Sequence, residues 1–196
     1  MRKPFRTIEQ LFFTPIHIKV LTESEMEPVQ KEMAEAYSQI EWSTPEDWGQ
    51  THDLSNDFLQ NDIEKYDMQE FKKLLHEELE LYCGYLGFPM RKYNVYSWFA
   101  QFKPGDYGHT HHHSPSDISG CYYFKTNGKD GNIYFNTPND RADASMCYMN
   151  FTKPWQHEPV EGKMMLFPGW LPHGIKRNTT DDIRVSFAFN IVFERF

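Results

Sequence analysis

Cysteine is scarce in this chain. Cys83, Cys121 and Cys147 are its only three and none stands in C-x-x-C spacing, so neither a disulfide framework nor a thiolate zinc site is expected, and a reducing compartment suits the sequence. Runs of lysine or arginine are missing too. With 20 basic against 28 acidic residues and a formal charge of −8, no electrostatic footprint for a phosphate backbone exists, and nucleic acid is a poor default partner. The sequence has no uninterrupted apolar stretch that could span a bilayer. Its amino-terminal MRKPFRTIEQLFFTPIHIKV never reaches a secretory core, so a cytoplasmic protein without a membrane partner is expected. Internal repeats and low-complexity segments are absent as well.

Aromatic residues are abundant, at 16% of 196 positions, which favours a large packed core and one domain spanning 1–196. The β-branched content of residues 14–21 suggests an opening strand. Ser24 and Glu27 have capping-box spacing, and Val29, Met33, Ala36, Tyr37 and Ile40 recur at helical period. A second helix is expected from Asp67 and Glu70, with Phe71, Leu74, Leu75, Leu79, Tyr82 and Leu86 as its apolar stripe and Gly87 at its end. Glu77, Glu78 and Glu80 read as its solvated face. Between the helices, Glu41 to Phe58 lacks a period and is rich in turn formers, which makes it a lid candidate.

From Tyr93 the pattern becomes strands, YNVYSWFAQF, DISGCYYFKT, NIYFN, KMMLF and IRVSFAFNIVF, separated by glycine-containing turns. Helices first (about 24–88) and strands later (about 93–193) predict an α+β layout, with the helices on one side of a sandwich or barrel.

Four of nine histidines crowd the segment YGHTHHH, residues 107–113. Residues two apart on an extended segment share a face, so either His109 with His111 or His111 with His113 can converge on one ion. A metal reading needs a remote third ligand, and His173 in LFPGWLPHGI is the best candidate. A near pair plus one distant ligand describes a facial three-ligand site suited to non-haem Fe(II). A solvated histidine-rich turn competes with that reading. The last strand weighs against it: Ile183, Val185, Phe187, Phe189 and Ile191 fall on one face, Arg184, Ser186, Ala188 and Asn190 on the other. A guanidinium facing a barrel interior needs an anionic partner, and arginine suits a carboxylate held by two hydrogen bonds. An internal salt bridge is the simpler alternative.

Together these residues resemble the 2-oxoglutarate- and Fe(II)-dependent oxygenases, in particular a prolyl-4-hydroxylase-like group of small oxygenases frequent in bacterial and phage genomes. The motifs are His111-x-His113, Ser119-Gly120, Tyr122-Tyr123, Phe167-Pro168, His173, Arg184-x-Ser186 and Phe189-Asn190, covering roughly residues 93–193. The resemblance implies a double-stranded β-helix, a jelly-roll barrel with the metal at its open mouth. It makes His111, His113 and His173 the iron ligands, and Arg184 the partner of the distal carboxylate of 2-oxoglutarate, with Tyr123 and Ser186 as supporting donors. Fe(II), 2-oxoglutarate and O2 are the implied cofactors, with ascorbate as a stimulant. The implied reaction hydroxylates a substrate C–H, a peptidyl proline being the analogy-based choice, and releases succinate and CO2.

The all-histidine triad departs from the superfamily's usual carboxylate ligand, for which Asp117 is the nearby substitute. Two other readings follow: a three-histidine cupin-like dioxygenase for a small molecule, without 2-oxoglutarate, and a catalytically silent β-barrel used for binding. Trp98, Trp155 and Trp170 are expected in the core rather than along a substrate groove. His17 and His76 are expected to be structural.

Overall fold

In the computed structural model, which describes residues 13–44, 51–56, 59–139, 146 and 152–195, the chain runs β1 (His17–Val20), α1 (Glu23–Tyr37), β2 (Asp53–Leu54), α2 (Asp62–Lys65), α3 (Gln69–Tyr85), β3 (Tyr93–Phe102), β4 (Gly108–His111), β5 (Ile118–Lys125), β6 (Ile133–Phe135), β7 (Trp155–His157), β8 (Lys163–Pro168), β9 (His173–Ile175) and β10 (Arg184–Phe193). The strands form a six-stranded sheet, β1-β8-β5-β10-β3-β2, and a four-stranded sheet, β4-β9-β6-β7. Every pairing between these strands is antiparallel. This is the double-stranded β-helix that the motifs implied.

Side-chain alternation sorts the two faces of the large sheet. On β10, Val185, Phe187, Phe189 and Ile191 pack with Met33, Phe71, Leu75 and Leu79 of the helices. On β8, Met164 and Leu166 join that layer, while Met165 and Phe167 turn to the opposite side with Ile133 and Phe135 of the small sheet. Phe99 of β3 faces the helices; Trp98, Ala100 and Phe102 face the barrel interior. Gly120 has a packing reason: a Cβ there would stand 2.4 Å from the ring of Phe189, its cross-strand partner.

Helix entry differs from the sequence expectation in both cases. Thr22, not Ser24, caps α1, and its box partner is Glu25, whose carboxylate accepts from the Thr22 amide at 2.7 Å. Both pairs fit the box spacing. Helix α3 has Met68 at its N-cap with no side-chain cap. Instead, Glu32 of α1 reaches across and accepts from the amides of Glu70, at 2.9 and 3.0 Å, and Phe71, at 3.1 Å. A carboxylate suits that positive helix end and locks the two helices together.

Glu78 is buried rather than solvated, 2.6 Å from His17 Nε2 on β1, which gives that histidine its structural role. His76 meets the Tyr93 hydroxyl at 3.0 Å, also as expected. Within the lid candidate, His52 to Asn56 are buried, and β2 pairs with β3. That part is fixed to the sheet; residues 45–50 and 57–58 of the lid candidate lie outside the described residues, as does Cys147. Among the described residues, no helix is long and apolar enough to cross a membrane.

Candidate metal and co-substrate site

The two histidine segments meet because β4 and β9 are neighbours in the small sheet. His111, at the end of β4, stands directly opposite His173, the first residue of β9. His113 lies just past β4, where its backbone amide donates to the Gly169 carbonyl at 2.7 Å. One ligand atom from each of His111, His113 and His173 falls within 4.8 Å of the others, close enough for one ion. Ring centroids stand 4.6 to 5.1 Å apart.

Backbone carbonyls select the tautomers. His111 Nδ1 lies 2.8 Å from the His109 carbonyl and His173 Nδ1 lies 2.8 Å from the Leu171 carbonyl. A carbonyl only accepts, so both Nδ1 atoms carry the proton and both Nε2 lone pairs remain for a metal. His109 thus contributes its carbonyl to the arrangement.

Asp117 is engaged elsewhere, its carboxylate accepting from the Phe193 amide at 2.8 Å. Among the described residues no carboxylate joins the triad.

Glycine at 169 makes the His113 geometry possible. The Gly169 amide donates to the Asp117 carbonyl at 3.1 Å, and a Cβ would stand 2.1 Å from the Ser116 carbonyl oxygen. Gly169→Ala is therefore expected to displace the 113–117 segment and to cost about 1–3 kcal/mol of stability. Urea unfolding and a metal titration would both register it, and wild-type behaviour in both would refute this account of the turn.

Burial holds the three imidazoles below their ordinary value of 6.5, His113 at about 2 and His173 at about 3, with mutual repulsion adding to the effect. They are neutral at physiological pH, as metal ligation requires. The folded chain binds these protons more weakly than the unfolded chain. The stability held by the neutral imidazoles is thus fully present above about pH 6.5 and is lost as pH falls below that value. A metal-free melting temperature that fails to drop between pH 7 and pH 4 would contradict the burial described.

The cavity beside the triad, of about 140 Å³, is also lined by His52, Trp98, Ser186 and Asn190. Arg184 lies behind it, fully buried. Its Nη1 donates to the Gly131 carbonyl at 2.8 Å, whereas Nε and Nη2 have no hydrogen-bond partner. The simple salt bridge is not found: none of the ion pairs among the described residues involves Arg184. Burial lowers its basicity, yet a guanidinium keeps its proton. The Tyr123 hydroxyl is likewise buried without a nitrogen or oxygen partner, beside the Cys121 thiol. Burial pushes the Cys121 thiol up to about 11, so this cavity-lining sulfur is protonated and a poor ligand.

Sequence reasoning missed His52, which β2 brings to the cavity. It also misplaced two tryptophans: Trp155 and Trp170 are 73% and 47% exposed, and only Trp98 is buried.

Three neutral imidazoles at one end of an antiparallel barrel, and unpaired cationic donors behind them, suit a metal ion and an anionic co-substrate. Residues 96–190 match the family model described as "Putative 2OG-Fe(II) oxygenase". Over that stretch, a little under half of its length, the chain is similar to this family of oxygenases. No curated protein matches the sequence.

Solved structures share the fold. A Pseudomonas putida prolyl-4-hydroxylase is 14% identical, with a TM-score of 0.59 over 93% of this chain and 94% of that one. HygX from Streptomyces hygroscopicus, with nickel and 2-oxoglutarate bound, is 13% identical, with a TM-score of 0.62 over 93% and 84%. A Trichoplax adhaerens prolyl hydroxylase, in complex with a hypoxia inducible factor peptide fragment, is 14% identical, with a TM-score of 0.61 over 91% and 83%.

The residues fit the family's cofactors. Neutral imidazoles suit Fe(II), and the orphaned nitrogens of Arg184 and the Tyr123 hydroxyl are the donors a carboxylate needs.

Proposed function

We propose that this protein hydroxylates a substrate C–H with His111, His113 and His173 holding the iron. Arg184 takes the distal carboxylate of 2-oxoglutarate, with Tyr123 and Ser186 as supporting donors. When bound, iron, the keto acid and dioxygen supply the oxidising power, with succinate and CO2 as co-products. The chain's own contribution is placement: neutral imidazoles fix the metal, a buried cation orients the co-substrate, and apolar walls such as Leu54, Trp98 and Ile175 exclude water. The observation that carries the reading is the buried guanidinium with two unpaired nitrogens. A structural arginine would have found a carboxylate, because an unpaired buried charge costs several kcal/mol.

A peptidyl proline is the substrate class we favour, supported by the two prolyl hydroxylases that share the fold. Hydroxylation would appear as a +16 Da product on a proline-containing peptide, and as no product on the same peptide with proline replaced by alanine. The reducing, cytoplasmic setting expected from the sequence suits Fe(II), and Cys83 and Cys121 are free thiols.

Adding Fe(II) and 2-oxoglutarate without oxygen tests the co-substrate. The expected result is the weak visible charge-transfer band of the chelate; its absence would sink the reading. The all-imidazole triad favours one second reading, a three-histidine dioxygenase that needs no keto acid. Product formation without 2-oxoglutarate would select it.

A further inference from the structure

Phe102 of β3 is the centre of a cross-strand row. Arg184 of β10 is its direct partner on one side. On the other side β2 pairs Asp53 with Gln101 and Leu54 with Ala100, so one step further His52 stands opposite Phe102. The side chains follow the row. The Arg184 guanidinium carbon lies 3.9 Å from the centroid of the Phe102 ring. The His52 ring lies parallel to that same ring, at 4.2 Å and 13°. Two groups cannot both occupy one face at such distances, so Phe102 is sandwiched between imidazole and guanidinium.

The sandwich is held from outside. Leu54 exchanges backbone hydrogen bonds with Ser43 at 2.8 and 3.0 Å. Asp53 pairs with Lys103 at 2.7 Å and with the Thr44 hydroxyl at 2.6 Å. The Thr51 hydroxyl accepts from the Tyr107 amide at 2.9 Å. His52 is therefore pressed onto the ring by anchors on both sides of it in sequence. Burial and the Arg184 charge keep its imidazole neutral, at about 4. It adds packing to the stack without adding a second positive charge.

We propose that His52 is a positioning residue for the co-substrate: it clamps Phe102 against Arg184, and so fixes the guanidinium in the orientation that leaves Nε and Nη2 for a carboxylate. The inference rests on the co-substrate reading above. One hydrogen bond, to Gly131, leaves Arg184 free to swing about Nη1. Stacking on a ring that cannot retreat removes that freedom, so less orientation has to be imposed when the carboxylate arrives.

The test uses protein loaded with Mn(II), which keeps the site from turning over, with calorimetry for 2-oxoglutarate and for the metal alone. His52→Ala should weaken 2-oxoglutarate binding about tenfold, the usual scale of one lost aromatic stack, and leave metal affinity unchanged. His52→Phe, which restores a flat ring but no imidazole, should recover affinity to within about twofold of wild type on the same scale. Wild-type affinity in His52→Ala, equal impairment of both variants, or a parallel loss of metal would each overturn the proposal.

A second readout needs no keto acid. In arginine-labelled protein, the Arg184 Nε–H resonance, assigned by its loss in Arg184→Met, should keep its position in His52→Phe and move or broaden in His52→Ala. If wild type binds no 2-oxoglutarate, the site reading fails, and this resonance alone decides the clamp. An unmoved line in His52→Ala refutes it.

Discussion

His173→Ala should abolish stoichiometric metal binding at neutral pH, with a loss of affinity well beyond the roughly 100-fold that removing an outer hydrogen-bond partner of a ligand typically costs. In the proposed site His173 is the residue that joins the two halves. It opens β9, faces His111 across the small sheet, and is oriented by the Leu171 carbonyl at 2.8 Å. Its ring also packs on Phe167 at 4.8 Å, so alanine leaves a gap as well as a missing ligand. Two imidazoles remain in the variant, and they hold a metal weakly. His112→Ala is the control, since His112 lies outside the triad and only accepts from the Ser114 amide at 3.2 Å. Calorimetric titration with Mn(II) would show one site in the control and none in His173→Ala. Equal binding by both would place the metal elsewhere.

Arg184→Met should separate function from stability. Co-substrate affinity is expected to fall by at least about 30-fold, the low end of the cost of truncating one partner of a buried charge pair. The protein without co-substrate should meanwhile become more stable, by about 1–2 kcal/mol. Against methionine stand one hydrogen bond to Gly131, the contact with Phe102 and the longer-range attraction of the buried Asp130 carboxylate; together these are worth a few kcal/mol at most. On the other side, the desolvation of a fully buried guanidinium with two unpaired nitrogens costs several kcal/mol. The larger penalty wins. A structural arginine would behave in the opposite way, with stability falling and 2-oxoglutarate binding intact. Urea unfolding alongside calorimetry reads both quantities from one preparation.

Much of this arrangement was legible in the sequence because the long strands carry a clean period of two. Alternation placed Arg184, Ser186, Ala188 and Asn190 on the face opposite Val185, Phe187, Phe189 and Ile191, and the core follows that division. Short elements left no such trace. β2, β4, β7 and β9 have two to four residues each, too few for a period to show. Yet β4 and β9 bring His111 to His173, and β2 brings His52 to the cavity. Spacing alone left the pairs His109/His111 and His111/His113 equal; the motif register favoured the second, and the convergence with His173 agrees with it.

The misread residues have physical reasons. Glu78 looked solvated among neighbouring glutamates because its partner, His17, lies 61 positions away. The cap of α1 moved from Ser24 to Thr22 because both hydroxyl residues have a glutamate three positions on. Trp155 sits on β7, the outer strand of the small sheet, and core packing ends before reaching it.

The proposed site is tested most directly by a crystal structure grown with Mn(II) and 2-oxoglutarate. One metal ion is expected there, ligated by Nε2 of His111, Nε2 of His173 and a ring nitrogen of His113, with the distal carboxylate on Arg184 Nε and Nη2. A metal held by His109 or His112, or a keto acid that leaves the Arg184 nitrogens unpaired, would contradict it.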